Sequence, residues 1–151
     1  MILVDVNLLV YAHDETSRHH PQARQWWEDQ LNGSQMVGLS WVGLLGFIRL
    51  LTNPRICQNP YSPAEVLATV GLWLEQPQVE IIHPSERHFT LLAGLIRHLG
   101  AAGNLTTDAH LAALAIERGL ILQTTDADFA RFPGLKWSNP LKAGTNLRGS
   151  G

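Results

Sequence analysis

Five short apolar, β-favouring runs, most of them parted by segments patterned as helix, constrain this chain more than any other feature. The runs are Ile2-Leu3-Val4, Gln35-Met36-Val37-Gly38-Leu39, Val79-Glu80-Ile81-Ile82, Leu120-Ile121-Leu122-Gln123-Thr124 and Leu135-Lys136-Trp137. The first is wholly apolar, the pattern of a central strand covered on both faces. Between the runs the helix signals are explicit. Asn7 can cap a helix through Ala12, and Pro21 opens one that carries Ala23, Trp26, Trp27 and Leu31 before Asn32-Gly33 stops it. Ser40 caps a helix from Trp41 to about Leu51. Ser62-Pro63-Ala64-Glu65 is a capping box for a helix to about Glu75. Ser85 heads a helix whose Phe89, Leu92, Ile96 and Leu99 share one face and which Gly100 ends. The run Asn104 to Thr107 offers caps for a last helix to Arg118, stopped by Gly119. Strands alternating with helices predict an α/β domain of three layers, α/β/α, around a parallel sheet of about five strands.

At 151 residues the chain has length for one domain. Residues 1–140 are read as that domain and 141–151 as a flexible C-terminal tail. Hydrophobic residues at 45% against 16% charged argue against disorder. No apolar run approaches the ~20 residues needed to cross a bilayer, and the start lacks the basic region of a signal peptide, so a cytoplasmic protein is expected. One cysteine, Cys57, excludes a disulfide framework and a cysteine zinc site. A net charge of −2 gives no global basic field, so a polyanionic substrate must be gripped locally. Arg131, Lys136, Lys142 and Arg148 follow the last acid and make the C-terminal segment basic.

The carboxylates gather by topology. In a parallel sheet every strand points the same way, and ligands bind at the carboxyl ends. Asp5 ends the first strand, and Asp126 and Asp128 follow the fourth. Asp108 lies in the first turn of the helix that runs down before that strand runs back up, which returns all of them to one rim. Ionised carboxylates placed together need a cation, a shared proton or ample water, and hard oxygen ligands favour Mg²⁺ or Mn²⁺. Each acid also has a plain structural reading, Asp5 and Asp108 as helix caps and Asp126 as a turn residue. His13, His19 and His20 lack the helical spacing of a zinc site.

The motifs Leu3-Val4-Asp5-Val6-Asn7-Leu8-Leu9, Thr107-Asp108-Ala109-His110-Leu111-Ala112-Ala113-Leu114-Ala115 and Thr124-Thr125-Asp126-Ala127-Asp128-Phe129 resemble those of PIN-domain ribonucleases. More closely, they resemble the VapC-type toxins of bacterial type II toxin-antitoxin modules. Phe47 to Arg55 and Phe129 to Leu135 are similar to one VapC subgroup, and the resemblance extends to Pro140. It implies an endoribonuclease that uses Mg²⁺ or Mn²⁺ to activate water, inhibits translation or growth, and is held silent by a VapB-type antitoxin. A homodimer is also implied. On this resemblance Asp5, Asp108 and Asp126 match the metal-binding acids, Asp128 a more peripheral acid, and Thr124 a hydroxyl beside them. Most PIN domains carry a Glu on the helix after the second strand, and the matching position here is Gly46. The antitoxin is expected to lay a helix in an apolar groove, for which Trp26, Trp27, Trp41 and Trp73 are candidates alongside core packing.

Two rivals remain in view. A phosphotransferase with an Asp after the first strand wants a second Asp two residues on, where this chain has Asn7, and no Gly-rich phosphate loop follows any strand. A PIN-like module that binds RNA or a protein without cutting is the alternative to the enzyme, favoured by the missing Glu.

Overall fold

The computed structural model describes residues 1–142 and the backbone of Arg148–Gly149. Five parallel strands form the sheet: β1 (Ile2–Val4), β2 (Val37–Leu39), β3 (Val79–Ile81), β4 (Ile121–Gln123) and β5 (Lys136–Ser138). Their order is β3-β2-β1-β4-β5, so the most apolar run lies at the centre, as its sequence predicts. A two-residue strand β6 (Arg148–Gly149) pairs antiparallel with β5. It falls within the segment read as a flexible tail, and residues 143–147 and 150–151 lie outside the described residues.

Six helices cover the sheet: α1 (Val6–His13), α2 (His20–Asn32), α3 (Trp41–Thr52), α4 (Pro63–Glu75), α5 (His88–Leu99) and α6 (Thr106–Arg118). They divide by face. Because side chains alternate along a strand, Ile2 and Val4 join a core with α1 to α4, while Leu3 joins a second core with α5, α6 and the segment that carries Phe129 and Phe132. Both faces of β1 are therefore sealed, which is why it carries no polar residue. No helix among the described residues is long and apolar enough to cross a membrane.

Local signals account for most boundaries. Ser40 Oγ accepts from the Gly43 N–H at 3.0 Å, and Ser62 and Glu65 close the capping box reciprocally. Gly119 takes φ +66° after α6, a left-handed conformation that costs an L side chain energy, and turns the chain directly into β4. Two capping expectations are corrected. A 3-10 turn, Gly103–Leu105, leads into α6 and no side chain caps that helix. Helix α5 begins at His88 rather than directly after Ser85. The Ser85 Oγ accepts from the Arg87 N–H at 3.2 Å in the turn before α5 and donates to Glu117 Oε2 at 2.7 Å, while His88 Nδ1 lies 2.9 Å from Glu117 Oε1. The enclosed Glu117 carboxylate thus ties the start of α5 to the end of α6, an expensive burial offset by several hydrogen bonds.

Gly38 in β2 is required by packing. A Cβ there would stand 2.6 Å from Ile82 Cγ1 and 3.1 Å from the Ile2 carbonyl oxygen. Gly38→Ala is therefore expected to destabilise the fold by about 1–3 kcal/mol through overpacking, read as a lower urea midpoint; an unchanged midpoint would show that Ile82 can move aside.

Candidate active site

The strand order reverses between β1 and β4, since β2 and β3 extend from one side of β1 and β5 lies beyond β4. A crevice opens at such a switch point beyond the carboxyl ends of the strands. Asp5 and Thr124 are the residues that follow β1 and β4 there.

Asp5 is 7% exposed and Thr124 is fully buried. The Asp5 N–H donates to the Gln123 carbonyl at 3.0 Å, which continues the β1–β4 ladder into the site. Its Oδ1 accepts from the Val6 N–H and its Oδ2 from the Thr124 hydroxyl, both at 2.8 Å. Asp5 thus caps α1, the role also open to Asn7 in the sequence, and it does so while lining the rim. Thr124 Oγ1 in turn accepts from the Asp126 N–H at 3.0 Å. Asp126 Oδ1 accepts from the Asp128 N–H at 2.8 Å and starts a 3-10 turn, Ala127–Arg131. One hydroxyl therefore links Asp5 to the acidic turn.

Burial pushes the Asp5 carboxyl up to about 6, against the pull of the Thr124 and Val6 hydrogen bonds; the charges of Asp108 and Asp126 push it further. Asp108, in the first turn of α6, is raised by burial and then by Asp126, with Arg131 opposing and Asp128 adding. These couplings bring Asp5, Asp108 and Asp126 into one electrostatic site. Asp128 stands at its exposed margin, paired with Arg131 at 3.2 Å. Arg131 enters the sequence reading only as part of a basic segment. Its three-residue spacing from Asp128 in a helical turn is the signal that links it to the acids.

Among the described residues, no group of three or more His, Cys, Asp or Glu side chains is already closed around a metal position. The three acids share a field without forming a finished cage. His13 and His20 are engaged elsewhere: His13 packs on Tyr61 with ring centroids 4.7 Å apart, and His20 Nδ1 lies 2.9 Å from the Tyr11 carbonyl. Of the tryptophans, Trp27 and Trp73 are core residues in an edge-to-face pair at 5.3 Å, whereas Trp41 is half exposed.

The PIN domain family matches residues 2–135. Ribonuclease VapC33 of Mycobacterium tuberculosis is 42% identical over 142 residues, covering 94% of this chain and 99% of the relative. The chain belongs to the VapC family of PIN-domain ribonucleases. Ribonuclease VapC37 of the same organism is 39% identical over 140 residues, covering 93% of this chain and 97% of that one. The VapC fold is also that of VapBC2 from Rickettsia felis, solved bound to a DNA fragment from its promoter. The TM-score is 0.65 at 19% identity, over 91% of this chain and 97% of that one.

Within this VapC chain, Gly46 faces α1 just beyond Asp5. A Cβ at Gly46 would lie 3.1 Å from Val6 Cγ2. Any side chain at position 46 would therefore press on Val6, the residue that follows Asp5.

The Asp5 shift has a stability sign. The folded chain holds this proton more tightly than the unfolded chain, whose carboxyl titrates near 3.8. Stability from Asp5 is full below that value and is lost as pH rises through about 6. In EDTA, the stability of Asp5→Asn relative to the parent protein should grow by about 2 kcal/mol between pH 4 and 7. Urea unfolding of both proteins measures this, and a pH-independent difference would refute the strained carboxylate.

Proposed function

We propose that this chain is the toxin of a type II toxin-antitoxin pair, a divalent-metal-dependent endoribonuclease that cuts single-stranded RNA in the cytoplasm. The observation that carries the reading is a nearly buried Asp5 whose charge is opposed by Asp108 and Asp126 at the switch point of the sheet. An all-oxygen, anionic donor set of this kind fits Mg²⁺ or Mn²⁺ in its chemistry. Asp5, Asp108 and Asp126 would hold the ion, with Asp128 at the margin. Such an ion, when bound, activates water for in-line attack and neutralises charge on the phosphoryl oxygens.

The chain's own groups do the positioning. By donating to Asp5 Oδ2, the Thr124 hydroxyl fixes that carboxylate's plane, and by accepting from Asp126 it fixes the turn. Arg131 supplies a positive charge beside Asp108 and Asp128 that can meet a backbone phosphate. A VapB-type antitoxin silences the enzyme by covering the rim, with a cationic side chain replacing the metal's charge. Trp41 and Leu45, exposed one turn apart on α3, suit a face between two copies of the chain.

The test is cleavage of an RNA panel by antitoxin-free protein with and without Mn²⁺. Asp5→Asn and Asp126→Asn should each lower the rate by about a hundred-fold or more, and Thr124→Val by about ten-fold, with Thr124→Ser close to the parent. RNA binding without metal-dependent cutting would favour the non-cleaving module instead.

Gly46 yields a separate expectation. Gly46→Glu combined with Val6→Ala, which clears the 3.1 Å contact, should tighten Mn²⁺ binding in calorimetry by adding a fourth carboxylate. Unchanged affinity would mean that a side chain at position 46 does not reach the ion.

A further inference from the structure

The two faces of the sheet are not covered equally. Helices α5 and α6 and the phenylalanines Phe129 and Phe132 seal one face as far as β5, where Trp137 is buried. On the other face α1, α3 and α4 pack toward β1, β2 and β3, and only the flank of α2 reaches over β4 and β5. A cavity of about 240 Å³ remains between them, lined by Trp26 and Gln30 of α2, Gln35, Gln123 of β4, Ser138 of β5 and two isoleucines. Gln123 and Ser138 are register partners, so their side chains share this face.

The lining is unusual for a core-facing cavity. Gln123 is only 8% exposed, yet its amide makes no hydrogen bond among the described residues. The amides of Gln30 and Gln35 and the Ser138 hydroxyl are likewise without a partner among them. A nearly buried side-chain amide normally has a partner, and Gln123, with half-buried Gln30 and Ser138 and exposed Gln35 beside it, instead offers a polar lining open to a ligand. None of the lining side chains is charged, so the lining favours a neutral polar occupant over a phosphate, a carboxylate or a cation. The volume is several times the ~30 Å³ share of one water molecule.

We infer that this cavity is a subsite for one nucleobase of the RNA, read by the amides of Gln123, Gln30 and Gln35 and stacked on the Trp26 indole. This rests on the nuclease reading above. A base is planar, uncharged and edged with adjacent donors and acceptors, which a primary amide matches two at a time. Unpaired RNA bases are bound in this manner, on an aromatic face and through their edges. The subsite adjoins the acids through the backbone, because the Gln123 carbonyl accepts from the Asp5 N–H at 3.0 Å and Thr124 is the next residue. A strand lying across the rim can therefore turn one base down between α2 and β4–β5, and that base sets where the chain is cut.

The experiment measures fluorescence anisotropy of labelled tetraribonucleotides of U, A, C and G with Asp126→Asn protein in Mg²⁺, with and without Gln123→Leu. One base should bind about ten-fold more tightly than the weakest, and Gln123→Leu should reduce that ratio to about two-fold or less. Since Leu replaces a nearly buried amide that has no protein partner among the described residues at similar volume, the variant should melt at about the parent's temperature or higher, which excludes misfolding as the cause. Gln30→Leu, on the surface helix, should weaken the same preference. Equal affinity for all four bases, or a preference untouched by both variants, overturns the subsite. The nuclease reading fails separately: if the parent protein cuts RNA with preferences indifferent to Gln123, only the subsite falls. If it cuts no RNA, base-selective binding still decides the subsite.

Discussion

A carboxylate confined at the end of the central strand, with two more carboxylates in its field, is the constraint to which the rest of this structure answers. Asp5 gains little from its position as far as stability is concerned: burial and the charges of Asp108 and Asp126 all favour its neutral form. It is held there by the Val6 N–H and the Thr124 hydroxyl, two donors that leave the remaining lone pairs free. Stability spent in this way at the switch point of the sheet is what the proposed metal site asks of these residues.

The layers around the site serve that arrangement. Sealing both faces of β1 fixes the Asp5 backbone, and a left-handed Gly119 brings α6 and β4 back to the same level so that Asp108 and Asp126 meet. Thr124 joins the strands electrostatically as well as through the ladder, because its hydroxyl serves Asp5 and Asp126 at once. The Glu117, Ser85 and His88 cluster holds α5 to the end of α6, and His88 Nε2 also lies 2.8 Å from His110 Nδ1, two residues from Asp108, so α5 and α6 are tied along their length and the helix that carries Asp108 is kept from sliding.

Membership of the VapC family makes the departures from its pattern informative. Gly46 is not a neutral vacancy in α3, since Val6 packs toward the space that a longer side chain would need. The acid site here is a constellation of aspartates, with Arg131 at its margin moderating the repulsion on Asp108. The uneven cover of the sheet has the same local origin. The link from β4 to β5 is a short turn on one face, so the opposite face beyond β1 is left to the flank of α2.

The sequence by itself determined the strand and helix order, because short apolar β-favouring runs and capped, Gly-stopped helices are local signals; it placed Asp5, Asp108 and Asp126 on one rim, since parallel strands and a helix returning into β4 leave them no other edge. The capping box at Ser62 and the stop at Gly100 were legible for the same reason. Tertiary structure decided what depends on partners distant in the chain. Ser85 heads the turn before α5, as its local sequence suggests, by accepting from the Arg87 N–H, yet its hydroxyl proton goes to Glu117, thirty-two residues on, a partner no local pattern names. Thr124 became the bridge to Asp5 across 119 residues, and Arg131, tied locally to Asp128, came to act on Asp108 as well, through contacts between segments distant in the chain. Trp27 went to the core and Trp41 to the surface because burial follows from which helix face meets the sheet, a choice made only when the layers assemble.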